Sequence, residues 1–176
     1  MTKTNHTLDL FPSDPTISAR RIPVPDNTFD LPQFPVPVFG VRLVRERSHE
    51  TALIRTPADA VRLCSELLDG YDRELFLAVA LSTASRVIGA HVCHVGTVDA
   101  CVASPREVFR FGLLCNARSV LVAHNHPSGQ VEPSRADIEV SKQIKTAGEA
   151  IGIPLVDSLV VGFDGRYTSL AERGLL

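Results

Sequence analysis

The stretch SVLVAHNHPSGQVEPSRAD, from Ser119 to Asp137, constrains the fold of this chain more than any other. Ser119–His126 is a short apolar run that ends in two histidines, and it reads as a strand. Pro127-Ser128-Gly129 then turns the chain, and Ser134 opens a helix that runs to about Ala150. Side chains alternate along a strand, so His124 and His126 point to one side and can chelate a single ion. The turn returns the first turn of the helix alongside the strand, where Asp137 can supply a carboxylate oxygen. Two imidazoles and one carboxylate leave the fourth tetrahedral position to water, the pattern of a catalytic rather than a structural zinc. The nitrogen and oxygen donors favour Zn2+ and leave manganese, iron and nickel open. Plainer readings stand beside this one. A His-x-His pair also occurs among ordinary core and surface histidines, and Ser134 with Asp137 resembles a helix-capping pair with favourable dipole charge. The capping and metal roles are partly compatible, because a residue at a helix start can also face an ion.

Around that stretch, the chain of 176 residues is long enough for one domain, and its 44% apolar content supports a core. Proline marks a boundary. Pro12, Pro15, Pro23, Pro25, Pro32, Pro35 and Pro37 punctuate the start of the chain, each removing a backbone donor and fixing φ. Residues 1–38 therefore read as a proline-rich extended or disordered arm, and its Phe29, Leu31, Phe34 and Val36 suit docking on a partner or on the domain. The domain occupies 39–176. It opens with alternation at 38–45 (VFGVRLVR), as in a strand. Thr56-Pro57 starts a helix with Val61, Leu63, Leu67 and Leu68 on one side, and Gly70 ends it. Leu75–Ser82 and Val87–Val95 form an antiparallel hairpin. Ser104-Pro105-Arg106-Glu107 is a capping box that opens a helix to about Asn116. Pro154–Gly162 and Gly165–Ser169 are the last strands. Helices and strands mix without a strict βαβ rhythm, which gives an α+β sheet or an α/β/α sandwich.

Several function classes lose support. The net charge of −2 lacks the basic excess of a protein built to grip nucleic-acid phosphates. Cys64, Cys93, Cys101 and Cys115 form no C-x-x-C pair and read as buried thiols of a reducing cytoplasm. No signal peptide and no membrane span is visible, so a soluble cytoplasmic protein is expected. His6, His49, His91 and His94 lie outside the metal stretch, and alternation puts His91 and His94 on opposite strand faces.

HNHPSG…PS-x-x-D resembles the JAMM motif, in which His-x-His is followed by seven residues, Ser, two residues and Asp; the spacing here matches throughout. More narrowly, GTVDACVASPREVFRFGLLCNARSVLVAHNHPSGQVEPSRADI is similar to the RadC branch of that superfamily, over roughly residues 57–176. The resemblance implies a JAB/MPN metalloprotease-like fold, a mixed sheet flanked by helices and layered much as in cytidine deaminases. It implies a hydrolase of the metallopeptidase or isopeptidase kind, acting on an unidentified protein or small amide, with water activated by zinc and a glutamate. Glu74, just before an apolar strand, occupies the place of that glutamate, and Ser134 that of the motif serine, a donor to the developing oxyanion. His124, His126 and Asp137 are the implied metal ligands.

The chain also departs from the RadC pattern. Ser104 and Ser158 stand where the family commonly has histidine, and neither serine replaces imidazole as a ligand or proton shuttle. The helix-hairpin-helix region of longer RadC proteins has the proline-rich arm in its place. A link to DNA repair is thus supported only by association, and a non-catalytic JAB/MPN interaction module would be expected to lose its motif, which is intact. A His-Asn-His nuclease spaces its histidines far apart, and a zinc nucleobase deaminase needs His-x-Glu and Pro-Cys-x-x-Cys, absent here.

Overall fold

The computed structural model describes residues 52–68, 70–96 and 103–176. The proline-rich arm, the strand expected at 38–45, His6, His49 and Cys101 lie outside the described residues. Helix α1 spans Pro57–Leu68. Pro57 supplies a preset φ at its start, and the Asp59 carboxylate accepts from the backbone N–H groups of Arg55 and Thr56. Strands β1, Leu75–Leu81, and β2, Val87–Val95, form the expected antiparallel hairpin. Helix α2 covers Pro105–Leu114, β3 Ser119–Asn125, α3 Arg135–Ile151, β4 Leu155–Val161 and β5 Tyr167–Ser169.

The strand order is β2-β1-β3-β4-β5. Only β3 and β4 run parallel, joined through α3, so the sheet is mixed. Both faces are covered. Val61, Cys64 and Leu68 of α1 pack with Leu75, Leu77, Leu121, Leu159 and Val161. On the other face Val108, Phe109 and Phe111 of α2 and Ile144 of α3 pack with Phe76, Ala78, Val120 and Val122. Residues of β1 and β3 are buried throughout because each strand has helices above and below it. This is the α+β, three-layer arrangement expected from the sequence.

One local expectation fails. His91 pairs with Ala78 and His94 with Phe76, with a register shift between Phe76 and Leu77 that leaves Cys93 as an extra residue. Partners opposite one another share a face, so the bulge puts both histidines on the face of Phe76 and Ala78, not on opposite faces.

Candidate metal centre

Strand register assembles the site. In the β1–β3 ladder Phe76 lies opposite His124. Two residues further toward this end of the antiparallel pair, the same face carries Glu74 from just before β1 and His126 from just beyond β3. Helix α3 packs over this face and contributes Asp137 from its first turn. A ligand atom from each of Glu74, His124, His126 and Asp137 lies within 4.8 Å of the other three. The Nε2 atoms of His124 and His126 are 3.2 Å apart, and each is 3.5 Å from a different oxygen of Asp137. All four residues singled out as base or ligands are therefore together.

Local chemistry explains how each side chain is held. His126 directs Nδ1 to the carbonyl of Gln130, 2.9 Å away. With the proton on Nδ1 the Nε2 lone pair faces the cluster, as an outer hydrogen bond sets the tautomer of a ligating histidine. Gly129, at φ 72°, adopts the left-handed conformation that lets this turn close, and its N–H donates to the carbonyl of His126. His124 is buried with its ring stacked on Phe76, the centroids 6.0 Å apart and the planes 10° from parallel. Its Nδ1 is buried without a hydrogen-bond partner among the described residues. The register explains Phe76, a residue that sequence reasoning had not placed at the site. Its signal was present, since it follows Glu74 by two positions. The Gln130 carbonyl is a backbone group and left no signal.

Ser134 joins the centre indirectly. Its Oγ accepts from the N–H of Asp137 at 3.2 Å, and its own N–H donates to Oδ2 of Asp137 at 2.7 Å, a complete capping box. The cap and the ligand readings of Asp137 are thus compatible: one carboxylate oxygen closes the box while both face the histidines. Ser104 caps α2, accepting from the N–H of Arg106 at 3.3 Å. Ser158 lies buried within 2.8 Å of Ser141 Oγ, which also donates to the carbonyl of Asp137. Both serines at positions where histidine was expected therefore have structural partners.

Electrostatics favour a cation. Burial pushes the Glu74 carboxyl upward, against the opposing pull of His124 and His126. Burial also raises Asp137, but hydrogen bonding from His124, His126 and Ser134 outweighs it and holds this carboxyl well below the usual range. The Asp137 carboxylate raises His126, against desolvation. Two carboxylates and two imidazoles thus converge in a half-buried space. Without an ion, the imidazole N–H groups are the partners of the Asp137 carboxylate. A divalent cation would satisfy the four groups together, and the donor set fits one.

A helix-flanked mixed sheet carrying a His, His, Asp and Glu cluster that could hold a metal ion, at the end of its central strands, is the arrangement of a JAB-type domain. The chain matches the RadC-like JAB domain over residues 54–175, and it belongs to that family. It is similar to the UPF0758 protein of Desulforamulus reducens, with 39% identity over 78% of this chain and 60% of that protein. The UPF0758 protein of Shouchella clausii is 42% identical over 77% of this chain and 58% of its own length. That of Rubrobacter xylanophilus is 43% identical over 77% and 59%. The chain thus spans less than two thirds of the length of these relatives. Among the described residues, no helix is long and apolar enough to cross a membrane.

Proposed function

We propose that this chain is a zinc-dependent hydrolase that cleaves amide bonds, of the metallopeptidase or isopeptidase kind. The observation that carries the reading is Glu74, a carboxylate from a separate strand set beside two histidines and an aspartate. Three protein ligands suffice for a catalytic zinc, and the fourth residue is then available as a base. His124, His126 and Asp137 would hold a zinc ion, which when bound would supply a water of near-neutral pKa and an electrophile for the scissile carbonyl.

The remaining work falls to the protein. Burial raises the Glu74 carboxyl, which suits a group that takes a proton from the attacking water and returns it to the leaving nitrogen. Ser134 accepts at Oγ from Asp137 N–H, so its hydroxyl proton is available to a carbonyl oxygen as negative charge develops there. His126 is kept in one tautomer by the Gln130 carbonyl. Free thiols at Cys64, Cys93 and Cys115 fit a reducing, cytoplasmic setting. The substrate class is a protein or small amide; the net charge of −2 gives nucleic acid little support.

The test is metal content by mass spectrometry, with hydrolysis of a peptide and isopeptide panel, for wild type, His126→Ala and Glu74→Gln. Wild type is expected to hold a stoichiometric divalent ion and to cleave. His126→Ala should lose the ion, whereas Glu74→Gln should keep it and lose turnover. Absence of a stoichiometric ion from the wild type defeats the reading. Ion binding with no cleavage anywhere in the panel favours an interaction module instead.

A further inference from the structure

We infer that Asn125, the residue between the two histidines, is a positioning residue that holds Glu74 at the centre; the catalytic meaning of this rests on the hydrolase reading above. Alternation turns Asn125 to the face of the sheet opposite His124 and His126, where it is 1% exposed. A buried carboxamide needs partners for both of its ends. Asn125 finds them on either side of Glu74: Oδ1 accepts from the N–H of Leu75 at 2.9 Å, and Nδ2 donates to the carbonyl of Arg73 at 3.1 Å.

The reason lies in where β3 stops. Main-chain pairing of β1 with β3 reaches Phe76 and His124. Beyond it, Pro127 and the turn closed at Gly129 lead β3 away toward α3, so its backbone no longer runs beside Arg73–Leu75. The carboxamide has the donor and acceptor of a peptide group, and it extends the ladder where the backbone leaves. Arg73 and Leu75 flank Glu74, so fixing the peptide groups on either side of it fixes the Cα of Glu74 and the direction in which its side chain leaves the strand. Gly96 N–H bonds the carbonyl of Glu74 from the other side at 2.7 Å. The strand end that carries the base is therefore clamped between β2 and a side chain from the ligand strand. One short segment, His124-Asn125-His126, thereby sets the ligands on one face and the base through the other.

Asparagine is specific for this task. Aspartate keeps the acceptor for Leu75 but opposes the Arg73 carbonyl with a second acceptor, and alanine removes both bonds. Asn125 also borders a cavity with Ser65, Glu66, Val161 and Phe163, so truncation there adjoins open space on one side.

Two measurements test the inference. The first needs no metal: crystal structures of wild type, Asn125→Ala and Asn125→Asp. In the variants the Glu74 carboxylate is expected to leave the 4.8 Å envelope it shares with the ligands, while His124, His126 and Asp137 keep their mutual spacing. If Glu74 stays in place in a folded variant, the inference is wrong. The second is the visible spectrum of the Co2+-loaded protein. Asn125→Ala should shift the bands as Glu74→Gln does, and the double variant should show no further shift. A shift of equal size on the Glu74→Gln background would mean that Asn125 acts through the histidines or the fold, and would overturn the inference. Failure of wild type to bind Co2+ counts against the hydrolase reading, and the crystal structures then decide the role of Asn125. Should Asn125→Ala not fold, the isosteric Asn125→Asp supplies both measurements.

Discussion

Ser141 and Ser158 show how a small buried polar pair can serve a site without touching it. Ser141 Oγ is 2.7 Å from the carbonyl of Asp137 and 2.8 Å from Ser158 Oγ. A hydroxyl has one proton, so the direction is set if Ser141 donates to the carbonyl and accepts from Ser158. The chain of bonds then runs from β4 through α3 to the first helical turn that carries Asp137. Ser158→Ala removes one donor and leaves the Ser141–Asp137 bond in place. Ser141→Ala instead strands the Ser158 hydroxyl in a buried place, which costs about 1–3 kcal/mol, against about 1 kcal/mol for an ordinary lost bond. Urea unfolding is expected to show Ser141→Ala as the more damaging change. The double variant should cost less than the sum of the two, because it leaves no orphan. Equal costs and strict additivity would show that the two hydroxyls are not coupled. From the sequence, Ser158 could be read only as a missing imidazole, since its partner is seventeen positions away on another element.

Helix α3 illustrates what was legible at the scale of elements. Its start at Ser134 and the caps of the helices beginning at Pro57 and Pro105 were readable because capping acts within a few residues, although at Ser104 only the cap forms and Glu107 pairs with Arg110 instead of closing a box. The hairpin of β1 and β2 and the strand with two same-face histidines were readable because alternation is local as well. The bulge at Cys93 was not, because register belongs to a pair of strands and β2 alone cannot reveal where it slips. Asn125 was hidden for the same reason: its partners arrive only when β1 lies beside β3. Two changes on α3 separate local from tertiary effects. Ser134→Ala removes the Oγ half of the capping box, leaving the backbone N–H bond to Asp137, and should cost about 1 kcal/mol while metal binding, as proposed above, is retained; loss of binding would show that the cap also positions Asp137. Gly148→Ala reverses the usual rule that alanine stabilises a helix interior by about 1 kcal/mol relative to glycine. An added Cβ would lie 2.5 Å from the carbonyl of Ile153 and 2.9 Å from the ring of Phe109. The backbone cannot yield as a side chain does, so destabilisation of about 1–3 kcal/mol is expected from denaturant midpoints. A more stable Gly148→Ala would refute the close approach.

At the scale of the whole molecule, the α1 side of the sheet couples folding to alkaline pH through Cys64. The thiol is fully buried between α1 and the sheet, and burial alone pushes it from 9.0 up to about 12. The neutral form is therefore favoured in the folded state, and the sign of the linkage follows. Below pH 9 both states hold the proton and Cys64 adds no pH dependence. As pH rises from 9 toward 12 the unfolded chain releases the proton first, so stability falls across that window, by on the order of 1.4 kcal/mol for each unit between the two pKa values. Burial raises the Cys93 and Cys115 thiols as well, so the comparison must be with Cys64→Ala, which lacks only this group. The variant should be less stable than wild type at pH 8 because it leaves a small cavity, and its stability should decline less steeply above pH 9. The same burial predicts that a thiol reagent at pH 8 reaches Cys64 only when the sheet opens. Its labelling rate should therefore follow global stability in added urea, whereas the half-buried Cys115 reacts without that opening. Parallel pH slopes for wild type and variant, together with labelling of Cys64 as fast as that of Cys115, would mean that α1 lifts from the sheet independently of the rest of the core.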